Sequence, residues 1–156
     1  MDFTEILFEI DEGVAVITLN RPEARNALAP VMRQELAHAL KTVREKAGEE
    51  VRALILTGAG GAFCAGGDVK SMGSRLKSAT LAREALRDDH QKMIDLLNIE
   101  VPVISLIDGA AAGAGANIAL AADFVLATPK GFLLQAFVRI GLIPDWGGMY
   151  ILPRLV

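Results

Sequence analysis

The sequence predicts an α/β fold whose strands are joined by crossover connections. Short apolar runs rich in Val, Ile and Leu alternate with longer stretches of helical period, turn residues separate them, and glycine-rich segments follow two of the runs. The 156 residues are enough for one domain with a sizeable core, read here as a single unit over residues 1–156. With 52% apolar and 22% charged residues the chain is of globular composition. A net charge of −3 leaves no electrostatic footprint for nucleic acid or an anionic membrane, so neither is an expected partner. Cys64 is the only cysteine, which excludes an intrachain disulfide and fits a reducing compartment. The acidic N-terminus has no signal-peptide pattern, and no window approaches the ~18 apolar residues of a membrane span, so a cytoplasmic protein is expected. The sequence stops within the apolar run of residues 151–156; because termini usually fray at the surface, a piece of a longer protein is expected.

Leu7-Phe8-Glu9-Ile10 and residues 14–19 are β-type runs flanking Asp11-Glu12-Gly13, a hairpin signal. Asn20-Arg21-Pro22 ends the second run, and a polar loop continues through Asn26. Residues 30–46 read as a helix, with Pro in the first turn and Leu36, Leu40 and Val43 forming its apolar stripe. His38 lies off that stripe and reads as a solvated histidine. Residues 53–57 form a buried strand entering the glycine-rich segment 58–68. A second helical pattern spans residues 80–98, and residues 103–107 form the next strand. Asp108-Gly109 then turns the chain into the small-residue stretch 110–122, with a helix starting near Gly113, and residues 123–127 are strand-like again.

A strand followed by glycines invites a dinucleotide reading, and both segments fail it. Phe63 stands where the third glycine of Gly58-Ala59-Gly60 should be, and Ile118 does the same after Gly113-Ala114-Gly115. No Gly-Lys-Ser/Thr occurs, which removes a phosphate-binding P-loop. Two readings stay open. Glycines let backbone N–H groups point at a ligand atom, and a helix starting at a strand tip supplies unsatisfied amides that stabilise a developing oxyanion. Close helix–sheet packing also selects Gly and Ala.

The motifs Phe63-Cys64-Ala65-Gly66-Gly67-Asp68-Val69, Pro102 to Gly109 and Gly113-Ala114-Gly115 resemble the crotonase superfamily of enoyl-CoA hydratases and isomerases. Asn20-Arg21-Pro22-Glu23-Ala24-Arg25-Asn26-Ala27-Leu28 and Pro144-Asp145-Trp146-Gly147-Gly148 fit the same pattern, so the likeness covers essentially the whole chain. The resemblance implies a spiral of ββα units that binds acyl-coenzyme A thioesters. It implies an oxyanion hole made by the backbone N–H groups of Gly67 and Ala114, the latter where many relatives have Gly. Arg25, Ala27, Ala65, Asp68 and Val69 would line the coenzyme A site, with Asp68 acting through its backbone. Relatives of this kind carry a further helical segment that completes the acyl pocket and packs trimers, so a homotrimer or hexamer is implied for the complete protein.

Hydratases of the superfamily use two glutamates, and the corresponding positions here are Asn117 and Phe137. Adding water needs a base for the water and an acid for the α-carbon, and neither residue titrates. They are read instead as pocket-lining. Asp145 is the remaining acid, set among apolar residues that would raise its pKa toward a useful base. Residues 116–121 and 135–142 look most like the ring-epoxide phenylacetyl-CoA isomerases, in which the aspartate at this position is the catalytic acid/base. The plain alternative is a turn-forming aspartate before Trp146-Gly147-Gly148. His90, in line with Leu86, Ile94 and Leu97, reads as a core or pocket-lining histidine. A sharper reading is 4-chlorobenzoyl-CoA dehalogenase-like hydrolysis, with a histidine in this helix beside a nucleophilic Asp145; those enzymes carry Trp at the Phe137 position. The reading favoured is double-bond isomerisation of an unsaturated acyl-CoA. Enoyl-CoA hydratase-type chemistry, dehalogenase-like hydrolysis and a non-catalytic CoA-binding or RNA-binding relative stand as alternatives, the acidic balance weighing against RNA. No metal and no cofactor beyond the substrate's coenzyme A are expected, because the two histidines are far apart and no ligand cluster occurs.

Overall fold

A computed structural model describes residues 2–75 and 78–156. Strand β1 (Ile6–Asp11) and strand β2 (Val14–Leu19) form an antiparallel hairpin pairing Asp11 with Val14. Its two loop residues, Glu12 and Gly13, both take positive φ (46° and 82°), the twist a two-residue hairpin turn needs. Helix α1 (Pro30–Lys46) has Pro at its first turn, and the Glu5 carboxylate accepts from the Met32 N–H at 2.8 Å, supplying the acid that helix N-termini favour. It leads to β3 (Ala53–Gly58), which lies parallel to β2. The chain continues through β4 (Ala62–Cys64), α2 (Val69–Arg75), α3 (Ala79–Leu97), β5 (Val103–Ile107), β6 (Ala110–Ala112) and α4 (Ala114–Leu120). It then forms β7 (Phe124–Ala127), β8 (Phe132–Leu134), a 3-10 turn at Ala136–Ile140, and α5 (Gly148–Leu155).

The strands divide between two sheets. One has the order β1-β2-β3-β5-β7, parallel beyond the opening hairpin; the other is the parallel set β4-β6-β8. After the opening hairpin, each pass places one strand in the large sheet and the next in the small sheet before a helical segment follows: a spiral of ββα units. Burial alternates along β2, where Ala15, Ile17 and Leu19 face inward with Met32, Leu36, Ala39, Leu40 and Val43 of α1 in the same core. In the last pass the side chains of Phe124, Val125, Leu126, Phe132 and Leu133 are exposed. Among the described residues, no helix is long and apolar enough to cross a membrane.

Glu35 fixes how the chain enters this fold. Its buried carboxylate accepts from Thr4 N (2.7 Å), Thr4 Oγ1 (2.7 Å), Glu5 N (2.8 Å) and Ile6 N (2.9 Å). Burial pushes its pKa up, but the Thr4 hydroxyl and the three amides together outweigh it, and the group lies below its ordinary 4.5. A depressed folded-state pKa contributes stability above the unfolded value and loses it as pH falls through the folded one. Glu35→Gln is therefore expected to cost about 2 kcal/mol in denaturant unfolding at neutral pH. The gap between the two proteins should close as the pH drops below 4.5.

Candidate active site

Two loops run side by side at the edge of the small sheet. Buried Asn26, at φ 57°, accepts from Arg21 N (2.8 Å) and donates from Nδ2 to Ala59 O (2.9 Å) and Ala62 O (2.8 Å). Those bonds lay residues 25–28 along residues 65–68: Ala65 N donates to Arg25 O (2.9 Å) and Leu28 N to Gly66 O (2.8 Å). Asp68 N then returns to Leu28 O at 3.4 Å. Leu28 thus grips the residues on either side of Gly67 and skips the Gly67 amide, which donates to no hydrogen bond among the described residues. Arg25, Ala65 and Val69 are exposed on this lip, and Ala27 is part-buried. Arg21 Nη1 reaches both Ala27 O (2.8 Å) and Asp68 Oδ2 (3.3 Å). The other Asp68 oxygen accepts from Lys70 N at 3.0 Å, at the start of α2. Its carboxylate holds the loop, leaving the lip to present main chain.

The second free amide comes from the turn between β6 and α4. Gly113 (φ 53°, ψ −124°) donates to Leu134 O at 2.8 Å, and its own carbonyl accepts from Asn117 N at 3.2 Å as α4 begins. The N–H of Ala114, first residue of α4, precedes the first intrahelical bond and has no partner among the described residues. A Cβ added to Gly66 would lie 2.7 Å from Ala112 O and 3.5 Å from Ala114 N; one added to Gly115 would lie 2.5 Å from Cys64 O. The close-packing reading of the glycines is seen at two of them. Gly66 and Gly115 permit close approach, and that approach brings the turn carrying the Gly67 amide against the one carrying Ala114. Cys64 lies buried in this contact with its thiol pushed up to about 12 by burial, so it is no nucleophile at neutral pH.

Asp145 is anchored to α4 through its main chain. Asn117 Nδ2 donates to Asp145 O at 2.7 Å, and Gln135 Nε2 donates to Asn117 Oδ1 at 2.8 Å. The next residues, Trp146 and Gly147, take φ 47° and 72°, turning the chain into α5 and seating Trp146 in the core. Asp145 itself is half-buried, and its Oδ1 is shielded from solvent without a hydrogen-bond donor among the described residues. Burial and the nearby Asp89 charge push its pKa above the ordinary 3.8, while Arg33 and His90 pull it down.

Arg33 and Asp89 escape the reading of the sequence. Arg33 Nη1 pairs with Asp89 Oδ2, and Arg33 Nε donates to Leu28 O at 2.9 Å. The Arg33 guanidinium lies 5.5 Å from the Trp146 ring centre. A signal was present: Arg33 precedes Leu36 and Leu40 at helical spacing, and Asp89 precedes Met93 and Leu96 likewise, so each helix carries a charge on its core stripe.

The structure places two of the expected pocket-lining residues in different surroundings. Asn117 is fully buried with both ends of its amide engaged, bracing the Asp145 turn. His90 is exposed, as are Leu86, Ile94 and Leu97 in line with it; the buried face of α3 is Asp89, Lys92, Met93 and Leu96. The helix is turned this way because Asp89 meets buried Arg33 on the inner side. His90 still lies within electrostatic reach of Asp145. Phe137 is buried, and a Cβ on Gly113 would lie 3.8 Å from its ring. No group of three or more His, Cys, Asp or Glu side chains could hold a metal ion among the described residues.

A ββα spiral that divides its strands between two sheets is the architecture of the crotonase superfamily. The sequence model of the enoyl-CoA hydratase/isomerase family matches residues 9–156, and the chain belongs to that family. It is 46% identical over 157 residues to a Rhodobacter capsulatus protein named "Probable enoyl-CoA hydratase", covering all of this chain and 58% of that one. It is 39% identical over 152 residues to the 1,2-epoxyphenylacetyl-CoA isomerase of Escherichia coli, covering 96% of this chain and 57% of the relative. Among solved structures, an enoyl-CoA hydratase from Polaromonas sp. JS666 matches with a TM-score of 0.88 at 32% identity, covering 97% of this chain and 58% of that chain. The chain thus spans somewhat more than half the length of these relatives.

Proposed function

We propose that the protein isomerises an unsaturated acyl-CoA, shifting a double bond by proton transfer through an enolate held at Gly67 and Ala114. The observation that carries this reading is the Asp145 carboxylate, shielded and without a donor at Oδ1, in a site where Asn117 and Phe137 cannot titrate. The thioester carbonyl oxygen accepts from the Gly67 and Ala114 N–H groups. Asp145 takes a proton from one carbon, and the electron pair of that C–H bond moves into the enolate. The proton then returns two atoms along the chain as the carbonyl re-forms, so one group serves as base and acid. Arg25, Ala27, Ala65, Asp68 and Val69 border the coenzyme A portion on the exposed lip. The relative named as an isomerase of 1,2-epoxyphenylacetyl-CoA supports an aromatic-derived or ring-containing acyl group.

A second reading, hydrolytic dehalogenation in which the Asp145 carboxylate displaces halide from a halobenzoyl-CoA ring and water then cleaves the resulting aryl ester at the Asp145 carbonyl, draws on one observation: His90 on the exposed face of α3 acts electrostatically on Asp145. Turnover of β,γ-unsaturated acyl-CoA substrates in water labelled with heavy oxygen separates the readings. Isomerisation yields a product of unchanged mass with no label. A product heavier by one water would replace this reading with hydration. Label recovered in the Asp145 side chain after a single turnover of a halobenzoyl-CoA would replace it with the hydrolytic one.

A further inference from the structure

Arg33 and Asp89 are a buried ion pair that the reaction proposed above does not use. Such a pair is a costly way to hold two helices together: well-packed apolar residues commonly do it as well or better. Its placement supplies another reason. From α1, the guanidinium donates through Nε to Leu28 O, the carbonyl that also accepts the Asp68 amide and so shapes the turn around Gly67. A Cβ on Gly67 would meet Arg33 Nη2 at 3.4 Å. The same guanidinium lies against the indole of Trp146, the residue after Asp145, and Asp89 on α3 secures it from a third side.

We propose that Arg33, held by Asp89, is a positioning residue that locks the turn presenting the Gly67 amide to the turn presenting Asp145. The proposal rests on the reading of Asp145 as the proton-transferring group. The chemistry of the side chain suits the role: a planar fork donates at Nε and Nη1 in fixed directions while its face packs on an aromatic ring, a combination lysine lacks. The pair also surrounds Asp145 with opposed charges. Among the described residues, those acting on it are Asp89 and His90 from α3 and Arg33 from α1, while α4 contributes the neutral amide of Asn117. Removing either partner should therefore change the site in a direction fixed by its sign.

The test uses the full-length protein carrying Arg33→Lys or Asp89→Asn, with Asp145→Asn as the reference. Arg33→Lys keeps the charge and loses the fork, so kcat should fall by about tenfold or more as the reacting groups lose alignment. KM should stay within about threefold, and the acidic limb of kcat/KM should remain at the wild-type pH. Asp89→Asn removes a like charge, so the acidic limb should move to lower pH by roughly half a unit. The midpoint of Asp145 in a carboxyl-carbon NMR titration should move with it. A pair that merely stabilised the fold would lower the melting temperature and move neither limb nor midpoint. Wild-type kcat in Arg33→Lys, or an unmoved Asp145 midpoint in Asp89→Asn, overturns the proposal. If Asp89→Asn does not fold, the double variant Arg33→Gln/Asp89→Asn replaces it, and wild-type kcat there overturns the proposal equally. Continued turnover by Asp145→Asn would instead defeat the base assignment. The NMR midpoint reads the coupling to Asp89 independently of turnover, so the two failures are distinct.

Discussion

Ala114→Pro is expected to lower kcat by about two to three orders of magnitude while leaving α4 intact. The size follows from losing one of two oxyanion donors, which typically costs 10²–10³ in rate. The selectivity follows from position. Ala114 is the first residue of α4, where proline is tolerated because its nitrogen has no intrahelical acceptor to serve. The preceding Gly113, at φ 53° and ψ −124°, takes the mirror image of the extended conformation found before proline, which glycine alone adopts freely. Far-UV circular dichroism should be unchanged and binding of coenzyme A alone should survive. Ala114→Gly, which keeps the N–H, should retain activity to within a few-fold. Equal kcat in the proline and glycine variants would eliminate Ala114 as a donor.

Asp145→Asn is expected to remove about 10²–10⁴-fold of the rate, the range for one positioned acid–base group, with kcat and kcat/KM falling together. Its effect on stability should run the other way. A carboxylate whose folded pKa is raised binds its proton more tightly in the native state, so ionising it at neutral pH disfavours folding. The asparagine variant should therefore melt at a higher temperature than the parent at neutral pH, the gap closing as the pH falls below the ordinary 3.8 of an aspartate. Proton exchange into the acyl chain followed by mass spectrometry, beside a thermal melt, reads both effects. Undiminished exchange would rule out the assignment.

Much of the fold was legible in the sequence. The helix over residues 30–46 and the strands at 53–57 and 103–107 stand out by period, whereas Gly67, Ala114 and Asp145 are singled out only through the family resemblance. The small sheet was not legible. Its strands have three residues each, and β6 is Ala110-Ala111-Ala112, a composition that favours helix; it is extended because β4 and β8 pair with it on either side. Helix α5 carries Pro153 and begins at a glycine, so no start or stop signal announces it. The face of α3 was misjudged for a related reason. Hydropathy aligns Leu86, Ile94 and Leu97, whereas the fold turns inward the face on which Asp89 meets Arg33 of another helix. A pairing between positions 33 and 89 leaves no trace in the local period of either segment.

The way Leu28 passes over Gly67 divides inheritance within the site. On the proposed reading the carbonyl-polarising part is written in main chain, so most side-chain replacements there alter its surroundings without deleting the donor. On the same reading the choice of bond falls to the Asp145 side chain, in a setting shaped by Asn117 and Phe137. A carboxylate at 117 would lose the Nδ2 donor to Asp145 O, so a new acid there would also require a new brace for the Asp145 turn.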